Sequence, residues 1–168
     1  MGWNDIKLNG FLYHSLFGNK LVDLKSQRAG EVVNGASQIE FLGGNEKKIT
    51  FLANDSQNKF LSDLQLNFLH DLLSACELTM ADIAFVNFLQ ENTITYRELI
   101  TQLHSKKILV FGVTGSEIDL PFAIPFFQIQ HFQEQQYMMA PALEDIQKKT
   151  ELKKQLWKSL QKIFDIHK

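Results

Sequence analysis

Two apolar runs of the chain, 48–53 and 108–113, end in turns whose residue types could bind a ligand. Open α/β sheets bind ligands beyond the carboxyl ends of their strands. One hypothesis is therefore an enzyme or a small-ligand binder with a pocket at these two ends, and a nucleotide or a nucleic-acid base is the natural ligand for it. The candidate pocket residues are Asn54, Asp55, Gly112, Thr114 and Gly115.

Each end also has a simpler interpretation. A phosphate-binding loop needs more glycines than the stretch 112–115 offers, and a helix that begins at once, so that backbone N–H groups face the phosphates. Here Asp119-Leu-Pro follows instead, which favours a plain turn. Asp55 precedes a predicted helix, and the sequence favours a carboxylate that caps this helix over one that contacts a ligand.

The residue types that usually bind metals or carry out catalysis show no typical spacing in this chain. No histidine pair has the spacing of a metal-binding helix, and Cys76 has no nearby histidine. The Gly-x-Ser-x-Gly motif of a nucleophilic serine does not occur. We therefore expect no metal, no cofactor and no catalytic residue, and we predict that the protein is not an enzyme. The histidines are His14, His70, His104, His131 and His167.

Length, charge and cysteine content limit the class of protein. The 168 residues suit one domain, and a net charge of -2 argues against a surface built to coat phosphates. A DNA contact through the lysines of 148–162 is a rival, although such a face is usually just solvated. A single cysteine, a start without signal-peptide features and the lack of a long apolar run favour a cytoplasmic protein. We expect no membrane contact and no direct nucleic-acid contact.

The pattern of apolar residues predicts a βαβ unit in the first half of the chain. The run 48–53 and the run 82–88 have strand character, and a long segment of helical periodicity separates them. Thr95 and Glu98 then form a capping-box pattern before a second helix, which leads into the buried run 108–113. The apolar face predicted for the first helix comprises Leu61, Leu64, Phe68, Leu72 and Ala75, interrupted only by the polar Gln65.

These elements predict one α/β domain with a small central, mainly parallel sheet flanked by helices in three layers. We further expect a hairpin between 39–42 and 48–53, and no central strand at 120–127 because of its two prolines. Residues 137–140 would add an edge strand, and Pro141 would begin one last helix that continues to Phe164.

The N-terminal residues form a separate apolar segment. Residues 4–17 predict an amphipathic helical arm, and 25–38, with two glycines and little periodicity, predict a linker. The expected organisation is therefore a partner-binding segment at 1–24, the linker at 25–38 and the α/β domain at 39–168. The arm either docks on its own domain or binds a partner protein as a helix in a groove. The candidate partner-binding residues are Phe11, Leu12, Tyr13, Leu16 and Phe17.

Two motif blocks resemble the psi subunit of bacterial DNA polymerase III. The first, which we call the Ala-Asn-Asp block, is Phe51-Leu-Ala-Asn-Asp, followed by the helix 60–78 and Leu78-Thr-Met-Ala-Asp-Ile. The second, the Ala-Pro-Ala-Leu block, is Met139-Ala-Pro-Ala-Leu-Glu-Asp-Ile, with Leu156-Trp157 about one helix-length later. The order and spacing of both blocks match that family, and the resemblance covers about residues 8–164.

The resemblance implies a replisome accessory without catalytic activity. Family members use an N-terminal peptide to bind the clamp loader, and here residues 8–17 occupy that place, with Tyr13, Leu16 and Phe17 as candidate anchors. The family's globular domain pairs with the chi subunit, which contacts single-stranded-DNA-binding protein. The implied partners are therefore clamp-loader subunits and a chi-like subunit. The glutamine-rich stretch 128–136 departs from the family pattern.

Overall fold

The computed structural model describes residues 38–89 and 94–166. The predicted helical arm, its five candidate partner-binding residues and the linker up to residue 37 lie outside the described residues. In the ranges that are described, no helix is both long and apolar enough to cross a membrane.

The described residues form one five-stranded sheet. The strands are β1 (Ile49–Ala53), β2 (Ile83–Asn87), β3 (Lys107–Phe111), β4 (Ile129–Phe132) and β5 (Gln135–Ala140). Their order in the sheet is β2-β1-β3-β5-β4. β1, β2, β3 and β5 run parallel, and β4 pairs antiparallel with β5 at the sheet edge. The mainly parallel α/β sheet predicted from the sequence is thus confirmed.

Helices cover both faces of this sheet. α1 (Asp63–Ala75), α3 (Leu143–Lys148) and α4 (Thr150–Ile163) pack on one face, which Phe51 and Phe111 contact. α2 (Tyr96–Leu103) and a 3₁₀ helix (Gly115–Ile118) pack on the other. Every residue of β1 and β2 is buried, as expected for parallel strands that are covered on both faces.

Capping side chains set where the two longer crossover helices begin. Ser62 caps α1, where its side chain accepts a hydrogen bond from the Gln65 backbone N–H. Thr95 and Glu98 form a reciprocal capping box at the start of α2, which confirms the prediction from the sequence.

The predicted apolar face of α1 is wrong at three positions, since Ala75 is exposed and the adjacent Leu64 and Gln65 have the opposite burial from the one predicted. Leu64 is 77% exposed, whereas the polar Gln65 is only 6% exposed. Leu69, Leu72 and Leu73 make the buried face. The helix begins at Asp63 rather than near residue 60, and Gln65 lies one turn before Leu69, on the face that packs against the sheet.

The predicted hairpin between 39–42 and 48–53 is also wrong. Leu42 pairs antiparallel with Phe85 of β2, and the two backbone N–H···O contacts between them are both 2.8 Å. The turn at Gly43 packs against the loop that precedes β2 and has a φ of 115°. A side chain there would contact the backbone oxygens of Met80 and Ile83, so only glycine fits. The segment 38–45 therefore borders β2.

Two predictions for the C-terminal third need correction. Residues 137–140 belong to β5, which lies between β3 and β4, so they are interior and not an edge. The edge is β4, from the glutamine-rich stretch. The predicted last helix is two helices, α3 and α4, since Lys149 has extended backbone angles between them. The absence of a central strand at 120–127 is confirmed.

Candidate functional site

A polar cleft lies beyond the carboxyl end of β1. It has a volume of about 270 Å³ and lies between the loop that follows β1, the start of α1 and the start of α3. We call it the β1 cleft. Its walls come from 53–58, from Leu61, Ser62 and Gln65, and from 142–144.

The two motif blocks meet at this cleft. Asn54 and Asp55 of the Ala-Asn-Asp block line one side, and Ala142, Leu143 and Glu144 of the Ala-Pro-Ala-Leu block line the other. Far apart in the sequence, the blocks are brought together because β1 and β5 flank β3 and run in the same direction.

Asp55 holds the loop at the cleft in place. Its Oδ1 accepts hydrogen bonds from the backbone N–H groups of Gln57 at 2.8 Å and Asn58 at 3.0 Å. Burial alone raises the pKa of Asp55, but these bonds, with others from the Asn58 side chain and the Ser62 backbone, outweigh it and lower the pKa below 3.8. Asp55 is therefore ionised at neutral pH. Its predicted role as the helix cap is wrong, because Ser62 caps α1 and Asp55 organises the turn before it.

Asn87, at the end of β2, forms hydrogen bonds with the backbone of the same loop. The sequence did not predict this role. The Nδ2 of Asn87 donates to the carbonyl oxygens of Asp55 at 2.8 Å and Asn58 at 2.9 Å, and its Oδ1 accepts from the Asp55 backbone N–H at 3.2 Å. The side chain is 1% exposed. The signal in the sequence was a lone amide that closes an otherwise apolar strand.

Gln65 lines the β1 cleft, and its side-chain oxygen is buried beneath the wall. Its Oε1 has no hydrogen-bond partner within the described part of the chain. A buried acceptor left unpaired costs about 1–3 kcal/mol.

The structure does not bring the five predicted pocket residues together. Thr114 and Gly115 line a second, mainly apolar cavity of about 490 Å³, whose other walls include Phe122 and Phe126. Gly112 lines neither space, because a Cβ there would lie 3.0 Å from the Cβ of Ala142. Asn54 and Asp55 therefore form part of a separate site.

At the turn after β3, a carboxylate occupies the place where a phosphate would have to bind. The Glu117 carboxylate accepts from the Thr114 backbone N–H at 2.6 Å and from its hydroxyl at 2.7 Å. These hydrogen bonds lower the pKa of Glu117. The turn is thus held by its own glutamate, in keeping with the plain-turn interpretation.

An apolar groove lies between α1 and α4, with a volume of about 220 Å³. Phe68 and Leu72 of α1 line it opposite Leu156 and Trp157 of α4. Lys153 lies at its rim, with its Nζ 5.8 Å from the Phe68 ring centre. We call this surface the Trp157 groove, and the Trp157 side chain in it is half-buried.

The described residues hold no group of three or more His, Cys, Asp or Glu side chains that could bind a metal ion. Burial raises the pKa of the Cys76 thiol to about 11, so the protonated form persists at neutral pH. Two lysines of the predicted basic face lie near glutamates, Lys148 at 3.9 Å from Glu144 and Lys154 at 3.4 Å from Glu151.

A scan of the chain against protein-family models finds no match, and a search among curated proteins finds none either. The functional assignment therefore depends on the motifs and on the geometry they share.

Proposed function

We propose that this protein is a non-catalytic replisome accessory that acts as the psi subunit of bacterial DNA polymerase III does, bridging the clamp loader to a second factor. That factor would be a chi-like subunit or single-stranded-DNA-binding protein. The observation that carries the proposal is the meeting of the Ala-Asn-Asp and Ala-Pro-Ala-Leu blocks at the β1 cleft. Such a role would place the protein in the cytoplasm.

The contact between the blocks matters because both lie at the carboxyl ends of strands that flank β3, so the two matches fall on one structural unit. Each block is weak by itself. In the fold, both blocks pack at one end of the sheet. A chain that contains both blocks in these places therefore also has β1 and β5 on either side of β3. This supports a resemblance of whole domains over a coincidence of short motifs.

A bridging protein needs two contact surfaces. The first proposed surface is the apolar N-terminal segment, in which Tyr13 and Phe17 are the aromatic anchors; a few such anchors carry most of the energy of an interface. The second is the Trp157 groove, where an apolar side chain of the partner would pack on Trp157.

The test is a pull-down from native lysate, read by mass spectrometry, with the full chain and a Tyr13→Ala/Phe17→Ala variant. His14→Ala is the matched control, since it changes a neighbouring side chain that we do not propose as an anchor. We expect clamp-loader subunits with the wild type and the control, and their loss with the double variant. If the wild type recovers no clamp-loader subunit, the proposal fails.

A Trp157→Ala variant separates the two surfaces. It should still recover clamp-loader subunits while losing the second factor. The same bait in about 50 mM and about 200 mM salt tests the rival DNA contact, because phosphate binding falls steeply over that range. Recovery of DNA alone, lost at the higher salt, would replace the bridge by that rival.

A further inference from the structure

The two edges of the sheet differ in how they are covered. On the β2 side, the segment 38–45 borders the sheet, and Leu42 pairs antiparallel with Phe85. On the other side β4 is the last strand, and no segment within 38–89 or 94–166 pairs with its outer side. An uncovered edge strand is a template for another strand, and proteins usually protect such an edge with charged residues or proline. β4 itself, Ile129–Phe132, has neither.

The backbone groups of Ile129 and His131 face outward from this edge. β4 and β5 are joined by the two-residue turn 133–134, whose φ angles of 48° and 69° are those of a type I′ hairpin. The residues that flank such a turn, here Phe132 and Gln135, form a hydrogen-bonded pair, and every second pair along the ladder does the same. The N–H and C=O groups of Ile129 and His131 therefore point away from β5.

Two contacts agree with this alternation. The Gln136 N–H donates to the Lys106 carbonyl oxygen at 2.9 Å, so the residue of β5 opposite His131 is turned toward β3. In the described part of the chain, the His131 carbonyl oxygen accepts only a long contact, at 3.3 Å, from the exposed side chain of Gln130. The outward groups of β4 are thus open to a further strand.

The stretch around β4 carries no charge. Residues 120–133 include no lysine, arginine, aspartate or glutamate, although 21% of the whole chain is charged. The same stretch is rich in phenylalanine, and Phe126 is 56% exposed. The centres of protein interfaces are depleted in charge and enriched in aromatic residues. This composition is typical of a contact surface.

An identical strand fits this edge. On a two-fold axis each residue meets its own copy, so a charged side chain there would repel itself, whereas a neutral stretch does not. Gln130 suits the axis because its amide both donates and accepts hydrogen bonds. Antiparallel pairing centred on Gln130 sets Ile129 of one copy opposite His131 of the other, and each of these two equivalent pairs exchanges both N–H···O bonds.

We propose that β4 pairs antiparallel with β4 of a second copy of this chain, about a two-fold axis at Gln130, and joins the two sheets into one. The second copy also covers the half-buried Ile129 on one face of the sheet and Phe132 on the other. The contact uses no residue of the two surfaces proposed for the bridge and does not depend on that function.

The primary test is sedimentation velocity of the full chain over a range of concentrations. We expect a reversible dimer with twice the 19.4 kDa mass of the chain. Gln130→Lys places two like charges on the axis and should raise the Kd of the dimer by about tenfold or more. Gln57→Lys makes the same change at an exposed glutamine in the loop after β1 and should leave the Kd unchanged. A monomer at every concentration, or a Gln130→Lys dimer as tight as the wild type, would overturn the proposal.

Cysteine cross-linking tests the register. A non-hydrogen-bonded antiparallel pair places its Cα atoms about 4.5 Å apart, within the range that a disulfide spans. Gln130→Cys should therefore give a disulfide-linked dimer on mild oxidation, whereas Gln57→Cys should not, and the native Cys76 is buried. If the two variants cross-link equally, or if the wild type is a dimer and Gln130→Cys stays unlinked, the contact is not at β4.

A proline tests the backbone pairing itself. His131→Pro removes an outward N–H group that the sheet of one chain does not use, and edge strands accept proline at such positions. It should weaken the dimer while the far-UV circular dichroism spectrum of the chain stays unchanged. A folded His131→Pro variant that dimerises like the wild type would contradict the pairing.

Discussion

Replacing Asn87 by alanine should cost more stability than any other polar substitution near the β1 cleft. Among the described hydrogen bonds between the end of β2 and the loop that follows β1, only those of Asn87 use both the oxygen and the nitrogen of one side chain. Its Nδ2 also approaches the Lys59 carbonyl oxygen at 3.2 Å, and its Oδ1 the Leu89 N–H at 3.2 Å. Asn87→Ala deletes all of these contacts and puts no new group in their place.

The magnitude follows from the count of hydrogens and the exposure of the loop. Nδ2 has two hydrogens, so its contacts amount to two hydrogen bonds, and Oδ1 accepts two longer ones. At about 1 kcal/mol each, the loss is about 4 kcal/mol. Because Ser56 and Gln57 of the loop are exposed, water can reach some of the freed groups. We therefore expect a loss of about 2–3 kcal/mol, a large part of the ~5–15 kcal/mol typical of a domain.

The assay is urea unfolding followed by far-UV circular dichroism and analysed by linear extrapolation. A loss of that size lowers the midpoint by roughly 1 M at a typical slope. Asn54→Ala is the matched control, because it removes an exposed amide one residue before Asp55 and should change stability by less than ~0.5 kcal/mol.

A second variant tests the donor side of Asn87. Asn87→Asp keeps an acceptor oxygen but replaces the donating amide by a negative charge next to the carbonyl oxygens of Asp55 and Asn58. It should destabilise the domain at least as much as alanine does. If Asn87→Ala differs from the wild type by no more than Asn54→Ala does, or if Asn87→Asp is as stable as the wild type, this account of the loop is refuted.

Two further predictions concern the same end of the molecule. Because the folded-state pKa of Asp55 is lowered, its ionised form contributes stability that is fully present above pH 3.8 and is lost as the pH falls below that value. Asp55→Asn should therefore lose less stability than the wild type between about pH 7 and about pH 3, as measured by urea unfolding at each pH. An equal loss in the two proteins would show that the carboxylate is not stabilised in the fold. Leu69→Ala should lower the free energy of unfolding by about 2–5 kcal/mol, because Leu69 is 1% exposed. Leu64→Ala should lower it by less than ~0.5 kcal/mol. Similar urea midpoints for the two variants would contradict the observed buried face of α1.

The sheet could be predicted because its strands are short apolar runs and its helices carry clear start signals. The run 108–113 and the Thr95–Glu98 pair needed no tertiary information to be recognised. What failed depended on contacts far apart in the sequence. Leu42 pairs with Phe85, and no local pattern distinguishes that partner from β1. Gln65 is buried because it lies one turn before Leu69 on the face that packs against the sheet, whereas its polarity alone predicts an exposed position.

The candidate site shows the same division. Asn54 and Asp55 were found because the end of a parallel strand is a general place for ligands. The same rule applied equally well to Gly112, Thr114 and Gly115. Whether a cavity is open at a strand end depends, however, on the segment that follows the strand. After β3 that segment is the 3₁₀ helix with Glu117, and after β1 it is an open loop held by Asp55 and Asn87.

The position of the motif blocks in the fold decides which residues can test the function. Asp55 and Leu143 organise the junction between the loop after β1 and the start of α3, so substituting them would disturb the fold and would remove partner binding whether or not they touch a partner. Loss of an interaction in such a variant therefore carries no information about the bridge. Trp157 is different, because it is half-buried on the surface of α4 and lines a groove that is open to solvent. A variant of Trp157 that keeps its unfolding midpoint but loses one partner would therefore place that partner on the domain itself.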